Sequence, residues 1–269
     1  MRKLSIPVGI SDFEKIRKNG YYYIDKTELI AELLEEEPME VTLITRPRRF
    51  GKTLGMSMLA NFFDIRKDSR SLFDGLVISE KTVLCRKWMN QWPVIFLSLK
   101  DIDGLNFKEA YGQMKAQIAN LCIDYMYLLA SEDINQQDKN VFQQLSSGEA
   151  DKIQVSRALS TLMRMLSAYY KKPVILLLDE YDVPIAKASN NGYYSEMLNI
   201  LKIMLSTALK DNNCLRFAVI TGCLRIAKES IFTGTNNFVS DTITDSGLNE
   251  YFGFTEEEVL QLLKDAEAE

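Results

Sequence analysis

Two apolar runs along this chain each stop abruptly at polar chemistry. Val41–Thr45 (VTLIT) runs into RPRRFGKT, and Val174–Leu178 (VILLL) runs into Asp179-Glu180. Uninterrupted runs of this kind suit strands buried on both faces, as in a parallel sheet; a half-solvated strand would alternate. Pro93–Leu99 (PVIFLSL) and Leu215–Thr221 (LRFAVIT) are two further candidates, Phe238–Ile243 is a weaker one, and Tyr21–Ile24 reads as a short strand with one buried tyrosine face. Helical spacing fills the intervals. Leu54, Met58, Leu59 and Phe62 recur on one helical face after Thr53, and Lys26–Glu37 reads as a helix capped near Asp25. Phe107–Ala130, Asp151–Tyr170 and Tyr193–Lys210 read as further helices, while the polar stretch Ser131–Gly148 reads as a solvated loop or a partner-facing insertion. Strands alternating with helices predict an α/β fold, a parallel sheet with helices on both faces.

The chemistry sits at the ends of the first two runs. Gly51-Lys52-Thr53 is the tail of a P-loop: a strand, a tight loop with inward N–H groups, and a helix whose N-terminus favours phosphate. In that motif Lys52 reaches the β- and γ-phosphates, Thr53 offers its hydroxyl to Mg²⁺, and Gly51 lets the backbone approach closely. The loop Arg46, Pro47, Arg48, Arg49, Phe50, Gly51, Lys52, Thr53 and Leu54 is therefore the expected ATP-binding segment. Asp179 is expected to hold Mg²⁺ and Glu180 to orient and polarise an attacking water. Both motifs together, each after a strand, should arise by chance in fewer than about one chain in a hundred.

One feature of the loop is unusual. The position where G-x-x-x-x-G-K-[ST] has its first glycine is Arg46, and Pro47 removes one N–H. Arg46, Arg48 and Arg49 each have two readings: solvated or paired with a local acid, or facing the γ-phosphate beside Lys52. Asp182, the third carboxylate of DEYD, reads as a loop cap.

Composition removes whole classes of function. The chain has 269 residues and no histidine. Ser-His-Asp and Cys-His catalysis, histidine-bearing zinc sites and HNH-type nucleases are thus excluded. Cys85, Cys122, Cys214 and Cys223 show no CxxC pairing and read as reduced, mostly buried cysteines of a cytoplasmic protein. A net charge of −5 argues against a chain built mainly to coat nucleic acid. No apolar run approaches a membrane span, and Pro7, Gly9 and Asp12 interrupt any signal-peptide core.

Several further stretches carry a resemblance. LSIPVGI at Leu4–Ile10, SDFEKI at Ser11–Ile16, YIDKT at Tyr23–Thr27, RPRRFGKT, DEYDVP at Asp179–Pro184, TGCLRIAKESIFTG at Thr221–Gly234 and YFGFTEEEV at Tyr251–Val259 resemble, in order, the bacterial AAA-ATPase-like family of predicted ATPases. The resemblance spans essentially the whole chain, and the arginine at position 46 is a habit of that family. It implies a P-loop NTPase core of the AAA-like additional-strand type, followed by a helical lid. Many members continue into a PD-(D/E)xK nuclease-like domain. This chain ends at Glu269, one helix past GFTEEEV, so an N-terminal segment (1–38), an ATPase core (39–248) and the start of an incomplete lid (249–269) are expected. The resemblance also implies that Thr221, ending its strand, senses the γ-phosphate, and that Arg225 stabilises transition-state charge in cis or as a finger to a neighbouring subunit. Thr221 as a mere strand end and Arg225 as a surface cation are the plainer readings.

Ile10, Phe13 and Ile16 are candidates for an apolar wall against adenine, although core packing explains them equally well. The expected function is ATP binding with Mg²⁺-dependent hydrolysis, coupled to a nucleic-acid or protein partner or an appended effector, with a homo-oligomer raised in expectation by the lid. A nucleotide-switched interaction module with little turnover is the alternative, and a small-molecule kinase ranks third.

Overall fold

The computed structural model describes residues 5–34, 38–223, 232, 238–245 and 247–267. Five strands, β1 (Val41–Thr45), β2 (Val94–Ser98), β3 (Val174–Asp179), β4 (Leu215–Gly222) and β5 (Phe238–Asp241), form one sheet in the order β2-β3-β4-β1-β5. All neighbouring strands run parallel. β4 lies between the P-loop strand β1 and the acidic strand β3, which is the additional-strand arrangement.

Burial on both faces explains why these runs are continuously apolar. Successive residues of a strand point to opposite faces, and each face has its own core. Leu43, Leu97, Leu176, Leu178 and Ile220 pack under the helices Phe107–Ile123, Ala158–Tyr170 and Tyr194–Leu209. Ile44, Ile175, Leu177 and Val219 face the other way, onto the P-loop helix Lys52–Phe63 and the aromatic group Phe62, Phe63, Phe73 and Trp88. The α/β expectation, with helices on both faces, is met.

Several local expectations are corrected. Tyr21–Ile24 is not a strand: Tyr21 N–H bonds to Ile16 O (3.1 Å) and Tyr22 N–H to Ser5 O (2.8 Å), so its backbone is used locally. The helix expected over 26–37 is Glu28–Glu32, with residues 35–37 outside the described set; its N-cap is Thr27, without a side-chain cap, and Asp25 accepts Thr27 N–H at 2.8 Å in a turn just ahead of the helix. Phe107–Ala130 ends as a helix at Ile123 and continues as a 3₁₀ turn over Met126–Ala130. Asp151–Tyr170 divides at Arg157 (φ −113°), with a capping box at Asp151 and Gln154. All four cysteines are free; Cys122 alone is fully buried, and the others are half-buried.

The largest correction is Ser131–Gly148. Gln136–Ser147 is a helix, opened by Asn135, whose side chain accepts Asp138 N–H, and closed by Gly148 in the left-handed region. Phe142 and Leu145 enter the core, and Asp138 pairs with Arg164 of Ala158–Tyr170 at 2.5 Å. The segment is part of the fold. The expected result for Phe142→Ala is a loss of about 3–5 kcal/mol, measurable as a fall in Tm of roughly 10 °C; unchanged thermal unfolding would return the segment to the status of a solvated insertion.

Candidate active site at the carboxyl edge of the sheet

In a parallel sheet every strand ends at the same edge, so register alone decides which terminal residues become neighbours. Ser98 lies opposite Asp179, Leu178 opposite Ile220, and Ile44 opposite both Thr221 and Asp241. The edge therefore collects Ser98, Asp179, Thr221 and Asp241 beside the loop that leaves β1.

That loop turns through two left-handed residues, Arg49 (φ +70°) and Gly51 (φ +78°). Gly51 stands at the N-cap of Lys52–Phe63 without a side-chain cap. The first N–H groups of that helix have no intrahelical acceptor, which is the condition for binding an anion there. Lys52 is buried, and its Nζ donates to the carbonyls of Arg46 and Pro47 at 2.9 Å each, with Cys223 Sγ at 3.4 Å.

Asp179 is fully buried, and three hydroxyls converge on it. Thr221 Oγ1 donates to Oδ1 at 2.5 Å, Thr53 Oγ1 to Oδ2 at 2.8 Å, and Ser98 Oγ lies 3.4 Å from Oδ2. These offset the desolvation that a lone buried carboxylate would suffer. Ser98 was not singled out in the sequence; the signal was a small polar residue closing an apolar run, and only the register with Asp179 gives it meaning.

Glu180 differs from its neighbour in every respect. It is half-buried, in the left-handed region (φ +54°), with its N–H 3.4 Å from Thr221 Oγ1. Burial and the adjacent Asp179 carboxylate push its pKa up, while Lys52 and Arg48 pull the other way. A non-glycine residue at positive φ, next to a second carboxylate, is the kind of strained group that active sites retain. Asp182 Oδ2 accepts the N–H of Cys223 at 3.0 Å, tying the loop after β3 to the end of β4. A Cβ on Gly222 would come within 2.7 Å of Asp182 and of the Tyr181 ring, so that close crossing requires glycine.

The three loop arginines separate. The Arg46 guanidinium is buried and ion-paired with Asp241, taking the local-acid alternative. Arg48 and Arg49 are exposed; Arg48 acts electrostatically on Glu180 and Arg49 lines a cavity. Arg225 lies outside the described residues.

The cavity, about 370 Å³, opens beside Gly51 and Leu54. Ile10, Ile16 and Tyr22 of the N-terminal segment form one wall, and Tyr251 and Phe254 approach from the C-terminal segment. Phe13 is absent from its lining and packs instead against the rings of Phe73 and Tyr23, at 5.0 and 5.3 Å. The helix Glu256–Glu267 closes over the N-terminal segment through Tyr22 to Asp265 (2.9 Å) and Lys26 to Glu258 (2.5 Å).

Among the described residues no cluster of three or more Cys, Asp or Glu could hold a metal unaided. The oxygen donors Thr53 and Asp179 suit a hard cation that draws its remaining ligands from phosphate and water. No described helix is long and apolar enough to cross a membrane.

Because the folded state raises the Glu180 pKa, the folded chain binds that proton more tightly than the unfolded chain does. Its contribution favours folding at low pH and is lost as the pH rises through the raised value. Glu180→Gln should accordingly unfold at a higher temperature than the parent at neutral pH, with the gap closing as the pH falls through the carboxylate range. Thermal scans across pH check this; a less stable variant at neutral pH would contradict the assigned environment.

Comparison with known proteins agrees with this geometry. The family described as Predicted AAA-ATPase, AAA-ATPase-like, matches residues 7–232. An "Uncharacterized protein in vnfD 5'region" of Azotobacter chroococcum mcd 1 is 30% identical over 262 residues, covering 96% of this chain and 45% of that protein. The chain thus spans less than half the length of this relative. With the additional-strand sheet, the phosphate-loop turn and the acidic strand end already in place, the match across most of the chain gives the assignment: the chain belongs to the predicted AAA-ATPase family.

Proposed function

We propose that this chain binds Mg·ATP at the carboxyl edge of its sheet and hydrolyses it. The observation that carries this reading is the convergence of Lys52, Thr53, Asp179, Glu180 and Thr221 on one edge, next to an apolar cavity large enough for a base. Adenine would occupy the cavity, and the phosphates would lie along Gly51–Leu54 at the helix N-terminus. Lys52 would exchange its loop carbonyls for phosphate oxygens. Thr53 and Asp179 would hold Mg²⁺, which when bound neutralises phosphate charge. Glu180 would orient the attacking water, and Thr221, which now donates to Asp179, would report the γ-phosphate. Arg225 keeps its proposed charge-stabilising role on sequence grounds alone. We retain the division into an N-terminal segment (1–38), a core (39–248) and a lid start (249–269), with the partner a nucleic acid, a protein or a second copy.

One observation favours a second reading, a nucleotide-switched interaction module with little turnover. The N–H of Gly253 donates to Phe50 O at 3.0 Å, so occupancy of the loop can reach the C-terminal segment without any hydrolysis.

Calorimetric titration of Mg·ATP and a phosphate-release assay test both. Lys52→Ala should weaken binding roughly 10- to 100-fold, matching the loss of a charge-assisted contact. Glu180→Gln should bind like the parent and lose about 100- to 10,000-fold in turnover. Binding without phosphate release, accompanied by a change in assembly, would select the switched module. A folded parent that does not bind Mg·ATP would sink both.

A further inference from the structure

Arg46 stands where the phosphate-loop motif has its first glycine, yet its side chain points away from the phosphate cradle. It is 1% exposed and ion-paired through Nη2 with Asp241 of the edge strand β5. Nη1 donates to the carbonyls of Thr45 (2.9 Å) and Asp241 (3.1 Å), and the guanidinium lies 5.4 Å from the centre of the Phe252 ring. The second oxygen of Asp241 accepts Leu248 N–H at 3.2 Å. At the far end of the loop, Phe50 O accepts Gly253 N–H, and a Cβ on Gly55 would touch the Phe252 ring at 3.5 Å. The stretch 247–253 is therefore fastened to both ends of the phosphate loop. Lys52 in turn rests on the carbonyl of Arg46 itself.

We propose that Arg46 is a positioning residue: its buried pair with Asp241 makes the geometry of the phosphate loop depend on the segment 247–253 and the helix Glu256–Glu267 that follows. This rests on the nucleotide reading above and names the part of the chain that regulates the same site. The physical argument is asymmetry of cost. A buried ion pair contributes little net stability, but removing one partner strands the other charge in the core. A glycine at this position would do without the pair altogether, so what the pair supplies is a fixed tie between β1, β5 and the C-terminal segment. Linkage makes the tie reciprocal: if 247–253 holds the loop, a nucleotide that takes Lys52 off the Arg46 carbonyl must alter 247–253.

The experiment compares Asp241→Asn, Phe252→Leu and Asp138→Asn in the full chain. Asp138→Asn weakens an ion pair whose carboxylate is equally buried but whose arginine, Arg164, is half-exposed; it lies remote from the loop, and thermal unfolding of each variant measures the stability lost. Mg·ATP affinity is read by calorimetry, and amide exchange is read in 48–53 and 247–253. Asp241→Asn should bind Mg·ATP on the order of 10- to 100-fold more weakly while Asp138→Asn binds like the parent. Nucleotide should change exchange in 247–253 of the parent and not of Asp241→Asn. Where Asp241→Asn does not fold, Phe252→Leu keeps the apolar filling without the ring, and a several-fold loss is expected. Parent affinity in both variants overturns the proposal. The nucleotide-free arm stands apart from the nucleotide reading: both variants should exchange faster in 48–53, and unchanged exchange there overturns the tie even if the parent binds no nucleotide.

Discussion

Burying a carboxylate completely is the demand around which the working edge of this sheet is built. Asp179 is 0% exposed, and its buried oxygens cost free energy unless donors surround them. They come from β4 in Thr221, from the P-loop helix in Thr53 and, at longer range, from β2 in Ser98. Three separate elements must therefore stand in one register about β3. The parallel ladder achieves this because Ser98 faces Asp179 and β4 follows β3 residue for residue over its last positions. The VILLL run that precedes Asp179 locks the ladder from below by filling both cores at once.

Next to this buried group lies a partly exposed one. Glu180 is half-buried, held at positive φ, and raised in pKa by burial and by Asp179. Two adjacent carboxylates thus occupy different situations, one surrounded by hydroxyl donors and one half-buried beside a second carboxylate. Environments that separate two carboxylates in this way also separate their chemical roles. Lys52 shows the same economy. Its ammonium rests on two loop carbonyls, contacts that hold the side chain across the phosphate-loop turn.

The N- and C-terminal parts of the chain meet over the cavity. Tyr22 reaches Asp265, Lys26 reaches Glu258, and both segments line the space beside Gly51. Residues more than two hundred positions apart therefore build one wall, and that wall adjoins the loop. The curated relative is more than twice as long as the portion matched, so what this surface meets in a larger protein is a separate question from how the site itself is assembled.

How much of this was legible follows from how local each signal is. The four long strands and the P-loop helix could be read because double-sided burial and helical spacing are written in consecutive residues. Gly51, Lys52, Thr53, Asp179 and Glu180 could be read because their chemistry needs fixed neighbours. Ser131–Gly148 was misread as a loop because its polar residues outnumber the apolar ones, although Asn135, Phe142, Leu145 and Gly148 carry a cap, a buried face and a stop. Tyr21–Ile24 has strand-like composition, but the N–H groups of Tyr21 and Tyr22 bond to Ile16 and Ser5 within the N-terminal segment, and it joins no strand of the sheet. Arg46 is marked by its place at the motif's first glycine, but nothing local says which of Arg46, Arg48 and Arg49 meets an acid. What the sequence determined by itself is the set of strands, the loop and the two acidic residues, because each depends on periodicity or on adjacency along the chain. Only the tertiary structure decided that Asp241 takes Arg46, that Ser98 and Thr221 take Asp179, and that the two ends of the chain wall one cavity, because those pairings depend on the order and register of strands far apart in sequence.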